Sequence, residues 1–410
     1  MNEYVVPGYI DTQIKNNEIY LTNSFTKAII ALEMKYQTEL TALMNNGSDK
    51  VESELEHFMF DNGFLININE FSSIIENYFS DNESVLKIVL LPTEKCNFRC
   101  VYCYEEHNYS CEERFNSEAI IEFIKSRLII DDRIKVVSVM WFGGEPLLKP
   151  SIIAQMNESI MNLCAAMRKS FMSGITTNGY LLDRNVFEKL NMLNVKHYQI
   201  TIDGMNHDRF RVLPNGEGTY KTIIDNIKHI SESSIDDFTV VIRVNVDQTS
   251  INNKEFYAGL KSVIGNDKRF RISAHSIFVE GEKAEGIAYT FDDSMLDLNK
   301  KQAIDSGLQY SDEADDNPIN ICYASSKNCF TFRPDGTIVK CTVALNSDFN
   351  QIGYIDDDMA VIDIAKNNEI CTLAFEKCTL CTKITNCHHI KCLKTRMSDV
   401  ECVRRERIKL

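Results

Sequence analysis

The chain has only 1 Trp, 7 Pro and 17 Gly in 410 residues. That is too little Gly and Pro for a collagen-like or low-complexity chain, and 44% hydrophobic with 25% charged residues describes a folded globular protein. Long apolar runs are also missing. Stretches such as Ile120–Ile124 and Val136–Phe142 fall far short of the ~20 residues that a spanning helix needs. The first residues are acidic and polar and lack the apolar core of a secretory signal, so a cytoplasmic chain without a membrane partner is expected. Basic residues are in deficit, 44 Lys and Arg against 59 Asp and Glu, for a net charge of −15. Such a balance argues against holding nucleic acid or an anionic membrane by bulk charge. Cysteine is abundant: 14 residues, which in a long cytoplasmic chain points to metal or catalysis rather than disulfides.

The length suits two to three domains. Residues 1–85 begin with a short β-like run, Glu18–Leu21, and continue with helical spacing around Ser24–Met34, Tyr36–Met44 and Val51–Asn62. This predicts a small α-rich N-terminal domain. From 86 to 280, strand-like runs alternate with helix-like runs. The strands are expected at Val85–Leu91, Val136–Trp141, Phe171–Thr176, His197–Ile202, Phe238–Val246 and Arg271–Phe278, and the helices at Ser117–Ile129, Pro150–Ala166, Asp183–Leu193, Thr219–Ile230 and Asn252–Ile264. Six β units separated by helices predict an α/β fold with a parallel, right-handed sheet, a partial (β/α)6 TIM-type barrel rather than a closed ring of eight. Residues 281–321 are acidic and weakly periodic and read as a linker with a short helix. The cysteine-rich stretch 322–410 reads as a separate module.

Strand Val85–Leu91 delivers Cys96, Cys100 and Cys103 on the loop that follows it, where parallel barrels place their reactive groups. Three thiolates so spaced can hold three irons of a cubane [4Fe–4S] cluster and leave the fourth iron open. A structural zinc, with His107 as a fourth ligand, is the competing reading. Cys111 and Cys164 stand alone and read as small buried hydrophobes.

The run Cys96-Asn97-Phe98-Arg99-Cys100-Val101-Tyr102-Cys103 resembles the signature of the radical SAM superfamily, including the aromatic Tyr102. The resemblance implies that the open iron binds S-adenosyl-L-methionine (SAM), whose cleavage gives a 5′-deoxyadenosyl radical. Gly143-Gly144-Glu145-Pro146 after the second strand resembles the family's GGEP motif, where small residues let the backbone approach the methionine amino group. Thr176-Thr177-Asn178-Gly179 and Thr201-Ile202-Asp203-Gly204 end the third and fourth strands, and Arg243 and Asn245 on the fifth resemble the family's R-x-N pattern. The cofactor-binding set implied is Tyr102, Gly143, Gly144, Glu145, Thr177, Asn178, Asp203, Arg243 and Asn245.

Further on, Cys322 is followed after 13 residues by Gly336, and Cys341 follows after four more. Then come Cys378-x-x-Cys381, Cys387 after five residues, Cys392 after four, and Cys402. This resembles the SPASM extension of radical SAM enzymes, departing from its pattern by one residue before Cys392. The resemblance implies two auxiliary [4Fe–4S] clusters: Cys322, Cys329, Cys341 and Cys392 for the first, Cys378, Cys381, Cys387 and Cys402 for the second, three clusters in all. Whether Cys329 is a ligand stays open, and Cys371 is left over. A zinc site on Cys378, Cys381 and Cys387 with His388 or His389 is the alternative.

Enzymes of this kind mostly modify peptides. The N-terminal region resembles the winged-helix-like recognition element that binds the leader of a ribosomal precursor peptide (a RiPP precursor), with Glu18–Leu21 as a strand able to accept the leader by β-addition. Sulfatase-maturating members carry an Asp after the cysteine matching Cys341, and Thr342 stands there instead. The reading is therefore a peptide maturase of the sactipeptide or ranthipeptide type, in which hydrogen abstraction is followed by Cys thioether formation and a flavodoxin or ferredoxin supplies electrons. Carbon–carbon crosslinking, epimerisation and formylglycine formation are the alternatives within the class, and an iron–sulfur redox protein is the one outside it. No catalytic acid or base is assigned: Tyr104, Glu105, Glu106 and His275 are candidates by position only.

Overall fold

The computed structural model describes residues 3–24, 26–71, 73, 83–105, 115–247, 252–277, 293–311, 323–356 and 359–372. Backbone contacts divide the chain into two compact units. One contains residues 1–82, 313–327 and 365–410, and the other residues 83–312 and 328–364.

In the first unit, β2 (Ile10–Lys15), β3 (Glu18–Asn23) and β4 (Ile29–Glu33) form an antiparallel sheet in the order β2-β3-β4. Helices α1 (Gln37–Asn46) and α2 (Glu54–Asp61) follow, and β1 (Tyr4–Val5) pairs with β5 (Ile66–Asn67). Ser53 starts α2 through a reciprocal capping box with Glu56. Two expectations are corrected here. The segment Ser24–Met34 is a turn and a strand, not a helix: its core, Ile29-Ile30-Ala31-Leu32, carries β-branched residues that fit a pleated edge. The strand Ile10–Lys15 was not foreseen because one face of an edge strand needs few apolar residues. Its signal was the Asn16-Asn17 pair, both at positive φ (52° and 65°), as in a tight two-residue hairpin turn.

The second unit is built on one ten-stranded sheet in the order β11-β10-β9-β8-β7-β6-β12-β13-β14-β15. Six parallel strands, β6 (Val85–Leu90), β7 (Val136–Trp141), β8 (Ser170–Thr177), β9 (Val195–Ile202), β10 (Thr239–Val246) and β11 (Phe270–Ser276), fall where the alternation placed them. The helices between them are α3 (Ser117–Ile130), α4 (Pro150–Ala166), α5 (Arg184–Met192), α6 (Tyr220–Ser231) and α7 (Lys254–Ile264). Sequential order with helical crossovers is barrel topology. The ring does not close, because β6 gives its second edge to β12 (Cys329–Phe332), paired in parallel from Lys87–Cys329 to Leu90–Phe332. Asn328 seats that strand by donating to the Glu83 carbonyl and accepting from Arg127 of α3, at 3.0 and 2.8 Å. Phe123 of α3 packs edge-on against Phe330 and Phe332.

From β12 the chain turns back through β13 (Thr337–Val339), β14 (Gln351–Asp356) and β15 (Met359–Ile362), all antiparallel. Residues 328–364 thus continue the barrel's own sheet. Helix α8 (Asp293–Asp305) lies within the stretch read as a linker, and Tyr310 makes a parallel bridge to Ile272 of β11. The last described helix is α9 (Ile364–Thr372).

Candidate active site

The loop after β6 carries Cys96, Cys100 and Cys103, all half-buried thiols. Burial pushes Cys96 and Cys103 up to about 12 and raises Cys100 as well, so metal binding there must displace protons. The loop is shaped by its neighbours. The Phe98 amide donates to Cys96 Sγ at 3.4 Å, and the Arg99 and Val101 amides donate to the carbonyls of Val212 and Phe210 at 2.8 and 3.0 Å.

Gly143 and Gly144 face the same loop. A Cβ on Gly143 would stand 2.4 Å from the Thr93 carbonyl oxygen, and one on Gly144 would stand 2.4 Å from that of Lys95. Their smallness lets the strand-two turn lie against the backbone that leads into Cys96. Glu145 is fully buried, and its carboxylate accepts from Leu147 N (2.9 Å), Thr177 Oγ1 (2.8 Å) and Asn178 N (2.8 Å). Thr177 and Glu145 therefore brace each other. The Asn178 side chain turns to the cysteine loop and donates to Asn97 Oδ1 at 2.8 Å.

The other sequence-selected residues form one network. Tyr102 donates its hydroxyl proton to Asp203 Oδ2 at 2.5 Å and accepts from Arg211 Nη1 (2.8 Å) and Asn245 Nδ2 (3.0 Å). Asn245 also reaches Asp203 Oδ1 at 3.3 Å, and Arg243 Nε donates to Asn245 Oδ1 at 3.1 Å. Burial lifts Asp203 to about 6 against the pull of Arg211, Tyr102, Asn245 and Arg243. Arg211 was not singled out in the sequence. It is buried, its charge acts on Cys100, and its Nε has no hydrogen-bond partner. The available signal was the run Asp208-Arg209-Phe210-Arg211-Val212, where a charge is enclosed between apolar residues.

Behind Asp203 lies His207, fully buried, with its Nδ1 accepting from the Asp203 amide at 3.2 Å and its Nε2 on Thr219 Oγ1 at 2.9 Å. Since Thr219 spends its proton on the Arg211 carbonyl, it must accept from His207, which fixes the Nε2–H tautomer. Burial, assisted by Arg211, lowers this imidazole to about 3.

Of the residues considered as acid or base, Tyr104 is partly exposed and raised by burial, with Cys341 close enough to contribute. Burial pushes Glu105 up to about 8, reinforced by Glu94 and Glu145 and opposed by Arg333, and its Oε2 has no hydrogen-bond partner. His275 pairs with Ser273 at 3.0 Å. Glu106 and His107 lie outside the described residues. Arg333 makes a two-pronged ion pair with Glu94 (2.7 and 3.1 Å) and donates to the Leu345 carbonyl, so the segment after β12 is held to the loop that leads into Cys96.

Cys341 is buried, and Asn350 clamps its turn, accepting from the Cys341 amide and donating to the carbonyls of Cys341 and Ala344, each at 2.8 Å. Cys329 is buried in β12, and Cys371 is buried in α9 of the other unit. Cys322, Cys378, Cys381, Cys387, Cys392 and Cys402 lie outside the described residues, as does Cys111. Cys164 is a buried side chain of α4.

The model of the radical SAM superfamily matches residues 90–252, from the end of β6 past the end of β10. Those residues are a radical SAM domain. Among curated proteins, a GTP 3′,8-cyclase of Aliarcobacter butzleri is 35% identical over 119 residues, 28% of this chain and 34% of that protein. The radical SAM cyclopropyl synthase TigE of Paramaledivibacter caminithermalis is 27% identical over 240 residues, 53% of this chain and 49% of TigE. The chain thus spans a third to a half of the length of these relatives. Among solved structures, anSMEcpe with bound AdoMet and the Kp18Cys peptide superposes with a TM-score of 0.56 at 16% identity, over 74% of this chain and 88% of that one. SuiB of Streptococcus suis bound to its precursor peptide SuiA gives 0.52 at 13% identity over 97% of both chains. At these identities the likeness is one of fold.

The radical SAM domain implies SAM and a [4Fe–4S] cluster, and the residues fit them. Three sulfurs share one loop, and the buried Arg211 guanidinium, whose charge acts on Cys100, keeps an unused donor that suits an anionic metal–thiolate group. No described helix is long and apolar enough to cross a membrane.

Proposed function

We propose that the protein is a radical SAM maturase of a ribosomally made precursor peptide and forms Cys thioether crosslinks. The observation that carries this reading is the continuation of the barrel sheet into β12–β15, which holds Cys329 and Cys341 in the same compact unit as the three-cysteine loop and ties the two segments through Arg333 and Glu94. An auxiliary redox centre so placed suits a reaction in which a substrate thiol is oxidised.

Cys96, Cys100 and Cys103 would hold the catalytic cluster. Cys322, Cys329, Cys341 and Cys392 would hold the first auxiliary cluster, and Cys378, Cys381, Cys387 and Cys402 the second. The group at Cys96, Cys100 and Cys103 would supply, when bound and reduced, the electron that converts SAM to the 5′-deoxyadenosyl radical. The chain's own residues position and enclose. Gly143 and Gly144 admit the cysteine loop, Glu145 braces the ends of β7 and β8, and the Tyr102–Asp203–Arg211–Asn245 network fixes the far side of the loop.

The leader would add to the N-terminal sheet, but not at Glu18–Leu21. Strand β3 lies between β2 and β4 and has no free edge. Of the two edges, β2 presents exposed Asp11, Thr12, Gln13 and Lys15 around Ile14, whereas β4 reads Ile29-Ile30-Ala31-Leu32 before Glu33 and lacks the lysines and prolines that blunt an edge. Strand β4 is the acceptor in this reading.

The GTP 3′,8-cyclase relative supplies a second reading. Its match of 119 residues is too short to reach from Cys96 to Cys322, so it leaves the cysteine-rich region unaccounted for. Anaerobic, reduced enzyme offered either GTP or a peptide encoded by any short cysteine-rich reading frame found beside its gene separates the two. Mass spectrometry should find a peptide that has lost one pair of hydrogens per link, with GTP untouched. Consumption of GTP with every peptide unchanged would reverse the assignment.

A further inference from the structure

Helix α8 lies beyond the residues that match the radical SAM model, 90–252, and yet it is tied to the end of β9 by a chain of buried amides. Asn299 of α8 is fully buried. Its Oδ1 accepts from Asn253 Nδ2 at 2.8 Å and from the Tyr257 hydroxyl of α7 at 3.1 Å, and its Nδ2 donates to the Met295 carbonyl at 3.0 Å. Asn253, also fully buried, stands at the N-cap of α7 but makes no capping bond with its side chain. Its Oδ1 accepts instead from the Met205 amide at 3.2 Å, in the turn that follows Asp203, and its own amide donates to Gln302 Oε1 of α8 at 2.9 Å. That oxygen lies so close to Gly204 (φ 61°) that a Cβ there would collide with it. One residue earlier, the Asp203 carboxylate accepts from the Tyr102 hydroxyl, and Tyr102 lies between Cys100 and Cys103. All of these residues belong to one compact unit.

We infer that Asn299 is a positioning residue for the SAM site, acting through Asn253 to hold the turn of residues 203–205 in the arrangement that binds the cofactor. Two amides in a dry site fix each other's orientation, because any other pairing leaves a donor or an acceptor unmatched. With its Nδ2 spent on α8, Asn253 must turn its Oδ1 towards Met205. Removing Asn299 frees that amide to flip and to set a donor against the Met205 N–H. The turn then spends part of its time in other conformations, and the apparent affinity for SAM falls with the competent fraction. The inference rests on the cofactor site of the radical SAM domain and is independent of the substrate proposed above.

The test is a calorimetric titration of SAM into the iron-loaded protein, kept oxidised so that SAM is not cleaved. Binding is referred to iron content, and stability is followed by urea denaturation. Asn299→Ser should weaken SAM binding about fivefold, the worth of one buried hydrogen bond. Tyr257→Phe removes the other donor to the same oxygen and should lower stability to a similar extent with SAM binding unchanged. Equal weakening of SAM binding in both variants would leave Asn299 a packing role only and overturn the inference. A relay also requires that Asn299→Ser have no further effect on SAM binding once Asn253→Ser is present, whereas two factors that simply multiply would overturn it. Should Asn299→Ser fail to fold, Gln302→Leu carries the test from a half-buried position: weaker SAM binding sustains the tie between α8 and Asn253, and wild-type binding overturns it. Wild-type protein that takes up iron but binds no SAM would remove the cofactor site, and the inference with it.

Discussion

His207 shows how far hydrogen-bond accounting goes at the scale of one residue. Both ring nitrogens are committed, one accepting from the Asp203 amide and one donating to Thr219, so a second proton would face a donor in a dry site. The imidazole is held near 3 when folded and titrates near its ordinary 6.5 when unfolded, so its contribution to stability is present above 6.5 and is lost as the pH falls towards 3. Between pH 7 and 5 this amounts to about 2 kcal/mol. Asp203 pulls the other way: raised to about 6, it disfavours the folded state progressively as pH rises through the range between its unfolded and folded values, and offsets about 1 kcal/mol over the same interval. The decisive quantity is therefore a difference. Urea melts of the metal-free protein should show His207→Gln losing about 2 kcal/mol less than wild type between pH 7 and 5. Equal losses would mean that His207 is not held neutral. At the same scale, changing Cys96, Cys100 and Cys103 together to Ala should abolish 5′-deoxyadenosine formation and leave about eight irons, and continued SAM cleavage would refute their assignment. These three were legible because spacing alone displays them. His207 and Asn350 were not, since nothing local in the sequence marks them, and Arg211 showed only as a charge enclosed between Phe210 and Val212.

Among the elements, the alternating strands and helices from 85 to 276 could be read almost residue by residue, because a strand buried on both faces and an amphipathic helix differ in period as well as composition. The N-terminal sheet could not. Its strands are short and partly exposed, and Ile29–Leu32 is equally compatible with one side of a helix until β3 is known to lie beside it. The glycine pair Gly143-Gly144 is visible in the sequence, and the structure adds a steric demand on it, the close passage of the Thr93–Lys95 backbone. A methyl group at 2.4 Å from a carbonyl oxygen must move that backbone. Gly144→Ala should therefore release iron from the first cluster and cost about 2 kcal/mol or more in stability, measured by iron content and chemical denaturation. Unchanged iron would show that the turn and the loop move independently. On the N-terminal edge, Ile29, 63% exposed, is the test position. Ile29→Lys should weaken leader-peptide affinity in a fluorescence titration and leave SAM cleavage without peptide unaltered, whereas undiminished affinity would free β4 of that role.

At the scale of the whole molecule, the proposed reading places the three-cysteine loop in the unit of residues 83–312 and 328–364, and has the sheet of residues 10–33, in the other unit, hold the partner. Holding a leader on the same chain makes attack on the core peptide effectively intramolecular, at an effective concentration on the order of millimolar for a short flexible connection. Deleting residues 1–80 should then spare SAM cleavage without peptide and sharply reduce modification of the full-length precursor, while hardly changing turnover of a leaderless peptide. The radical step itself is tested most directly by following one hydrogen atom. Precursor peptide deuterated at its non-cysteine core residues is incubated with reduced enzyme and SAM, and the 5′-deoxyadenosine is weighed by mass spectrometry. The account predicts deuterium in the nucleoside in step with formation of the crosslinked peptide. Crosslinked peptide accompanied by unlabelled 5′-deoxyadenosine, or labelled nucleoside without any change in the peptide, would contradict it.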